Sequence, residues 1–132
     1  MEETLALAEE LGRSAARGSV FALIGELGAG KTILAKGIAR GLGITDEITS
    51  PTFTLMEIYE GPVPLYHFDL YRIARAEELD QLFFEEYWED DGISVIEWAD
   101  RAMDRLPANR ITITIGYLNE TNRSIAIEYP GD

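Results

Sequence analysis

Residues 19–32 read SVFALIGELGAGKT. The first six, SVFALI, form a short apolar run of the kind that fills a central strand buried on both faces. The next eight, GELGAGKT, fit the spacing G-x-x-x-x-G-K-[ST] of a phosphate-cradling loop. ILAKGIARGLG follows and puts Ile33, Leu34 and Ile38 on one side of a helix that Gly41 and Gly43 can end. Strand, glycine-rich loop and helix in this order predict an α/β domain with ligand-binding groups at the C-terminal ends of its central strands.

Each part of the loop has a physical role. Gly28 and Gly30 let backbone amides turn inward around phosphate oxygens without a Cβ clash. The helix that starts near Lys31 aims its positive end at the same anion. Lys31 supplies a mobile ammonium, and Thr32 offers a hydroxyl to Mg²⁺, which favours hard oxygen ligands. At average residue frequencies the pattern arises by accident in roughly one chain in 200 of this length. The expected strand before it and helix after it make chance rarer still. No N-K-x-D guanine-reading motif is present, which leans the nucleotide toward ATP, and the L-S-G-G-Q signature of ABC transporter ATPases is absent too.

Composition narrows the function classes. With 132 residues, the chain fits one domain over 1–132. It has no cysteine, which excludes disulfides and thiolate metal sites, and its single histidine, His67, excludes a multi-histidine zinc site. Net charge is −13, with no basic stripe to displace counterions from a nucleic acid. The acidic cluster EEYWEDD, 85–91, is either a solvated surface or a dock for a basic partner. MEETLALAEELG lacks a basic region ahead of an apolar one, and no apolar run approaches the ~20 residues that span a bilayer. A cytoplasmic protein without membrane contact is the simplest expectation.

The rest of the chain alternates between helix and strand signals. Residues 2–16 suit an amphipathic helix with Leu5, Ala8 and Leu11 on one side and Gly18 beyond its end. FTLMEIYE and VPLYHFDLYR flank Gly61 and Pro62 as a hairpin. Residues 75–88 read as a helix, ISVIE as a strand, and 98–105 as a short helix. RITITIGY and SIAIEY alternate apolar with polar and form an antiparallel pair around LNETNR. The expected fold is a P-loop NTPase-like α/β domain with a mixed, largely parallel central sheet and an antiparallel C-terminal strand pair.

Two apolar strands end on acids: LYHFD on Asp69 and ISVIE on Glu97. Either acid could be a solvated strand end. Together, behind a phosphate loop, they point to function, because phosphoryl transfer needs an acid near Mg²⁺ and a group to orient water. Asp is shorter and suits the metal-linked position, while Glu reaches farther and can polarise water. His67 shares a strand face with Asp69 and is either a structural hydrogen-bonded residue or part of the site. Arg72 either steadies phosphate charge or pairs with an acid. The TSPTF loop, with Thr49, Ser50 and Thr52 around Pro51, is either a plain turn or a sensor of the γ-phosphate.

GELGAGKT, TSPTFTL, LYHFDLYR, EEL and VIEWAD, in that order and spacing, resemble the TsaE family, the P-loop ATPases of bacterial tRNA threonylcarbamoyladenosine synthesis. The resemblance covers nearly the whole chain. It implies a small cytoplasmic ATPase with an αβ fold that acts with TsaB and TsaD. Those partners install threonylcarbamoyl on adenosine 37 of tRNAs reading codons that begin with A. TsaD carries the transfer, tRNA is met only through the complex, and ATP hydrolysis supports repeated cycles. The resemblance also implies an ATP and Mg²⁺ site. Glu26, Leu27, Gly28, Ala29, Gly30, Lys31, Thr32 and Ile33 would form its phosphate loop, and Thr52 and Trp98 would lie near the nucleotide. Thr32, Asp69 and Glu97 would sit at the metal, with Glu97, Lys31 and Asp69 as the catalytic set. Glu26 stands where Asp is usual, Ile33 where a second Thr is frequent, and Phe83 and Phe84 where a glycine often follows the EEL helix.

Small-molecule kinases share a phosphate loop and acids, but they need an arginine-bearing lid to exclude water. The arginines after the phosphate-loop helix are scattered. A nucleotide-gated binding module that barely hydrolyses ATP is the other alternative.

Overall fold

The computed structural model describes residues 2–25, 31–45, 56–71, 73, 77, 88, 92–101, 103–119 and 122–129. The elements run α1 (Glu2–Ser14), β1 (Val20–Gly25), α2 (Lys31–Gly41), β2 (Met56–Tyr59), β3 (Leu65–Asp69), β4 (Ile93–Glu97), β5 (Ile111–Tyr117) and β6 (Arg123–Glu128). The six strands form one sheet in the order β2-β3-β4-β1-β5-β6. The four inner strands are parallel, and each edge strand joins antiparallel. The mixed, largely parallel sheet and its antiparallel C-terminal pair are therefore as expected, and the hairpin around Gly61 and Pro62 adds a second antiparallel edge.

The inner strands are apolar because both of their faces are covered. One face carries Phe21, Leu23, Leu65, Ile93, Val95, Ile113 and Ile115, packed with Leu34, Ala35 and Ile38 of α2. The other carries Val20, Ala22, Tyr66, Phe68 and Ile96, packed with Trp88, Ala99 and Leu106. Trp88 meets Phe68 edge-on, with ring centroids 5.9 Å apart. At the β5–β6 edge only the isoleucine face is covered, while Thr114, Ser124, Ala126 and Glu128 face solvent. That half-coverage is why these two strands alternate cleanly and β4 does not.

α2 lies on the sheet and α1 lies on α2. The two helices touch through glycines. A Cβ on Gly12 would overlap the carbonyl oxygen of Ile38, one on Gly37 would overlap Ala8 Cβ, and one on Gly41 would overlap the carbonyl oxygen of Glu9. Gly41, the last residue of α2, thus belongs to the contact as well. The stop is Gly43, at φ +83°. There the Ile44 amide donates to the Ala39 carbonyl at 3.0 Å and the Gly43 amide to the Arg40 carbonyl at 3.0 Å, a Schellman closure. Ile33 is only half-buried on α2, outside the buried set of Leu34, Ala35 and Ile38. The expected helix over 98–105 is two 3-10 turns, Ala99–Arg101 and Met103–Arg105. The helix expected over 75–88 lies outside the described residues, apart from Glu77 and Trp88.

Among the described residues no helix is long and apolar enough to cross a membrane.

The glycine contact makes a signed prediction. On an exposed helix Gly→Ala gains about 1 kcal/mol. At Gly12 the new methyl meets backbone that cannot step aside, and overpacking of this kind costs about 1–3 kcal/mol. Gly12→Ala should therefore lower the urea midpoint and the Tm despite its better helix propensity; equal or higher stability in urea melts would refute the close contact.

Candidate nucleotide and carboxylate site

The parallel register assembles the site. Leu23 pairs with Glu97, and Glu97 pairs with Asp69, so the C-terminal ends of β1, β4 and β3 lie side by side. The Leu70 amide donates to the Glu97 carbonyl at 3.1 Å, which carries the alignment one residue past β3. β1 ends at Gly25 on this edge and α2 begins at Lys31, the residues on either side of the phosphate-loop sequence. Glu26, Leu27, Gly28, Ala29, Gly30 and Thr52, like Arg72, lie outside the described residues.

Glu97 is 3% exposed. A carboxylate so placed must be hydrogen-bonded or it strongly destabilises the fold. Oε1 accepts from the Thr32 hydroxyl at 3.1 Å, and Oε2 meets His67 Nε2 at 2.6 Å. His67 is fully buried. Glu97 thus joins the first turn of α2 to the middle of β3.

Lys31 is also buried. Its Nζ donates to the Gly25 carbonyl at 2.6 Å, bridging the two ends of the loop, and lies 3.9 Å from the centroid of the Trp98 ring. Trp98 directly follows Glu97 and has φ +58°, the left-handed region that bulky residues rarely enter. Its indole packs on Tyr71, with centroids 4.9 Å apart, and Arg101 stands 5.5 Å from the Trp98 ring and 5.6 Å from the Tyr71 ring. Tyr71 and Arg101 were not singled out from the sequence. Arg101 could have been, because it lies three residues after Trp98, one 3-10 turn away, and its amide donates to the Trp98 carbonyl at 3.0 Å.

Asp69 is half-buried, and its Oδ1 accepts from the Tyr71 amide at 3.0 Å. Burial holds its carboxyl above the ordinary 3.8, opposed by that amide bond; Glu97 pushes the same way as burial, and Lys31 opposes it. Asp69 and Glu97 are neighbours, but Glu97 alone of the two is seen in contact with Thr32.

Thr32 and Glu97 offer hard oxygen donors beside the loop. Mg²⁺ held together with phosphates takes one or two carboxylates rather than a full protein cage, and this donor set fits that pattern. Among the described residues no group of three or more His, Asp or Glu side chains forms such a cage.

Comparison with known proteins gives matches over most of the chain. The family model for threonylcarbamoyl adenosine biosynthesis protein TsaE matches residues 1–125. The chain is 45% identical over 117 residues to the tRNA threonylcarbamoyladenosine biosynthesis protein TsaE of Treponema pallidum, covering 89% of this chain and 87% of that one. It is 41% identical over 132 residues to the protein of the same description from Bacillus subtilis, covering 99% of this chain and 82% of that one. The crystal structure of YdiB from Bacillus subtilis superposes with a TM-score of 0.84 at 38% identity, over 98% of this chain and 80% of that one. With sequence and fold matched over nearly its full length, the chain belongs to the TsaE family.

Proposed function

We propose that this protein is a Mg²⁺-dependent ATPase that serves the threonylcarbamoylation of adenosine 37 in tRNA, acting with TsaB and TsaD and meeting tRNA only through them. The observation that carries the ATPase reading is the 3.1 Å contact between Thr32 Oγ1 and Glu97 Oε1, which ties the loop threonine to a buried strand-end carboxylate. Family membership supports the tRNA role, since the relatives are described as threonylcarbamoyladenosine biosynthesis proteins. A net charge of −13 suits a subunit that works through protein partners rather than by gripping RNA.

In this reading the loop residues Glu26 to Ile33 surround the phosphates of ATP, and Thr52 and Trp98 border the nucleotide. Lys31 exchanges the Gly25 carbonyl for phosphate oxygens. Thr32, Glu97 and Asp69 would hold Mg²⁺, which would supply positive charge against the phosphates. Glu97 accepts a hydrogen bond from the attacking water and turns its lone pair toward the phosphorus. A role in tRNA modification supports a cytoplasmic location.

Glu97→Gln keeps the shape and loses the basic oxygen. Phosphate release from Mg-ATP should fall by about 10²–10⁴-fold, with ATP affinity changed by no more than a few-fold. Measured alone and with TsaB and TsaD, the parent should be slow alone and faster with the pair. Unchanged turnover in Glu97→Gln would remove the assignment, and phosphate recovered on an added metabolite would favour a kinase.

Asp69 makes a second, pH-dependent prediction for the metal-free protein. Its folded pKa is raised, so its contribution to stability is fully present below the ordinary 3.8 and is lost as pH rises through the folded value. At neutral pH the half-buried charge is therefore a cost. Asp69→Asn keeps the acceptor for the Tyr71 amide and removes that cost. Its Tm should exceed the parent's at pH 7, converge with it near pH 4, and be accompanied by loss of Mg-ATP hydrolysis. A lower Tm at pH 7 would contradict the burial account.

A further inference from the structure

We propose that His67 is a positioning residue that fixes the Glu97 carboxylate in its working orientation. The inference rests on the catalytic reading of Glu97 and extends it to a residue that touches neither nucleotide nor metal. A carboxylate at a strand end can rotate about its side-chain torsions. Here its two oxygens are held by different elements, Oε1 by Thr32 of α2 and Oε2 by His67 of β3. With both ends tied, the plane of the carboxylate is set by the spacing of α2, β4 and β3, and not by solvent.

Packing alone does not call for a histidine. His67 is fully buried in the middle of β3, beside Val95 in register, where an aliphatic side chain would fill the same face. A polar ring at such a site is unfavourable unless it is hydrogen-bonded. Its one hydrogen bond among the described residues goes to Glu97, and its Nδ1 has no partner. The unpartnered nitrogen also sets the tautomer. An N–H buried without an acceptor is rarer and costlier than a bare lone pair. The proton therefore resides on Nε2, which donates to Glu97 Oε2, and the ring acts as a fixed one-sided donor. The other oxygen, Oε1, accepts from Thr32.

The chain has one histidine, so its ring nitrogens can be read by ¹⁵N NMR without assignment ambiguity. The expected spectrum shows a protonated Nε2 and an unprotonated Nδ1, with the Nε2 resonance displaced in Glu97→Gln. An Nδ1–H tautomer, or two tautomers averaging as in solvent, would overturn the proposal without reference to activity. In kinetics, His67→Leu should lower kcat by about 10–100-fold, the range for residues that orient a catalytic ligand, while ATP affinity stays within about threefold. His67→Gln places an amide donor where Nε2 stands and should recover most of kcat. His67→Asn, one bond too short, should not, and this pair decides the matter even where His67→Leu fails to fold. Parental kcat in His67→Leu or His67→Asn, with Glu97→Gln inactive, would overturn the role of His67 alone. Parental turnover in both Glu97→Gln and His67→Leu would overturn the catalytic reading of Glu97 and this proposal together.

Discussion

The structure depends on keeping one buried carboxylate paired. Glu97 ends a strand buried along its whole length and is itself 3% exposed. Removing a single partner of a buried charge destabilises more than forming the pair stabilises. Hence α2 must stay close enough for Thr32 to reach Oε1, and β3 must stay in the register that brings His67 to Oε2. The glycines at 12, 37 and 41 serve the first condition. They let α1 seat on α2 backbone to backbone, and so clamp α2 onto the sheet beneath it.

The second condition falls on the exits of β3 and β4. Leu65 to Asp69 pair residue for residue with Ile93 to Glu97. After Glu97 the chain turns sharply, with Trp98 left-handed at φ +58°. A non-glycine residue in that region costs on the order of 1–3 kcal/mol. The contacts of its indole with the Lys31 ammonium at 3.9 Å and with Tyr71 offset part of this, a buried cation–π contact contributing about 2 kcal/mol. Strain, cation and carboxylate thus meet within one turn, where the strand gives way to the site.

What the sequence made legible follows from range. Strand ends are local, and SVFALI, LYHFD, ISVIE and the alternating pair RITITIGY and SIAIEY all became strands close to their expected bounds. The phosphate-loop helix and the acids at strand ends were legible for the same reason. Two features were not. Glycine inside a helical pattern reads as weakness or as a stop, and Gly12 and Gly37 show that it can instead be the contact surface of a second helix. The bond between His67 and Glu97 spans 30 residues and exists only because β3 and β4 are parallel neighbours in one register. His67 was noticed for sharing a face with Asp69, yet its hydrogen bond goes to the acid of the next strand. The short helix expected over 98–105 broke into two 3-10 turns because the sharp turn at Trp98 precedes it, a backbone state that propensity does not foresee.

Charge sets the last constraint. A chain with net charge −13 repels a nucleotide at long range, though salt screens that repulsion beyond ~8 Å. Two carboxylates, Asp69 and Glu97, add repulsion at the site itself. On the proposed reading, attraction would come from short-range groups: the Lys31 ammonium, the amides at the start of α2, and a divalent cation beside the carboxylates. Lys31 brings one positive charge, and its ammonium must leave the Gly25 carbonyl to reach a phosphate. On that reading, with so much negative charge on the chain, the metal would be a condition of nucleotide binding rather than an aid to the chemistry alone.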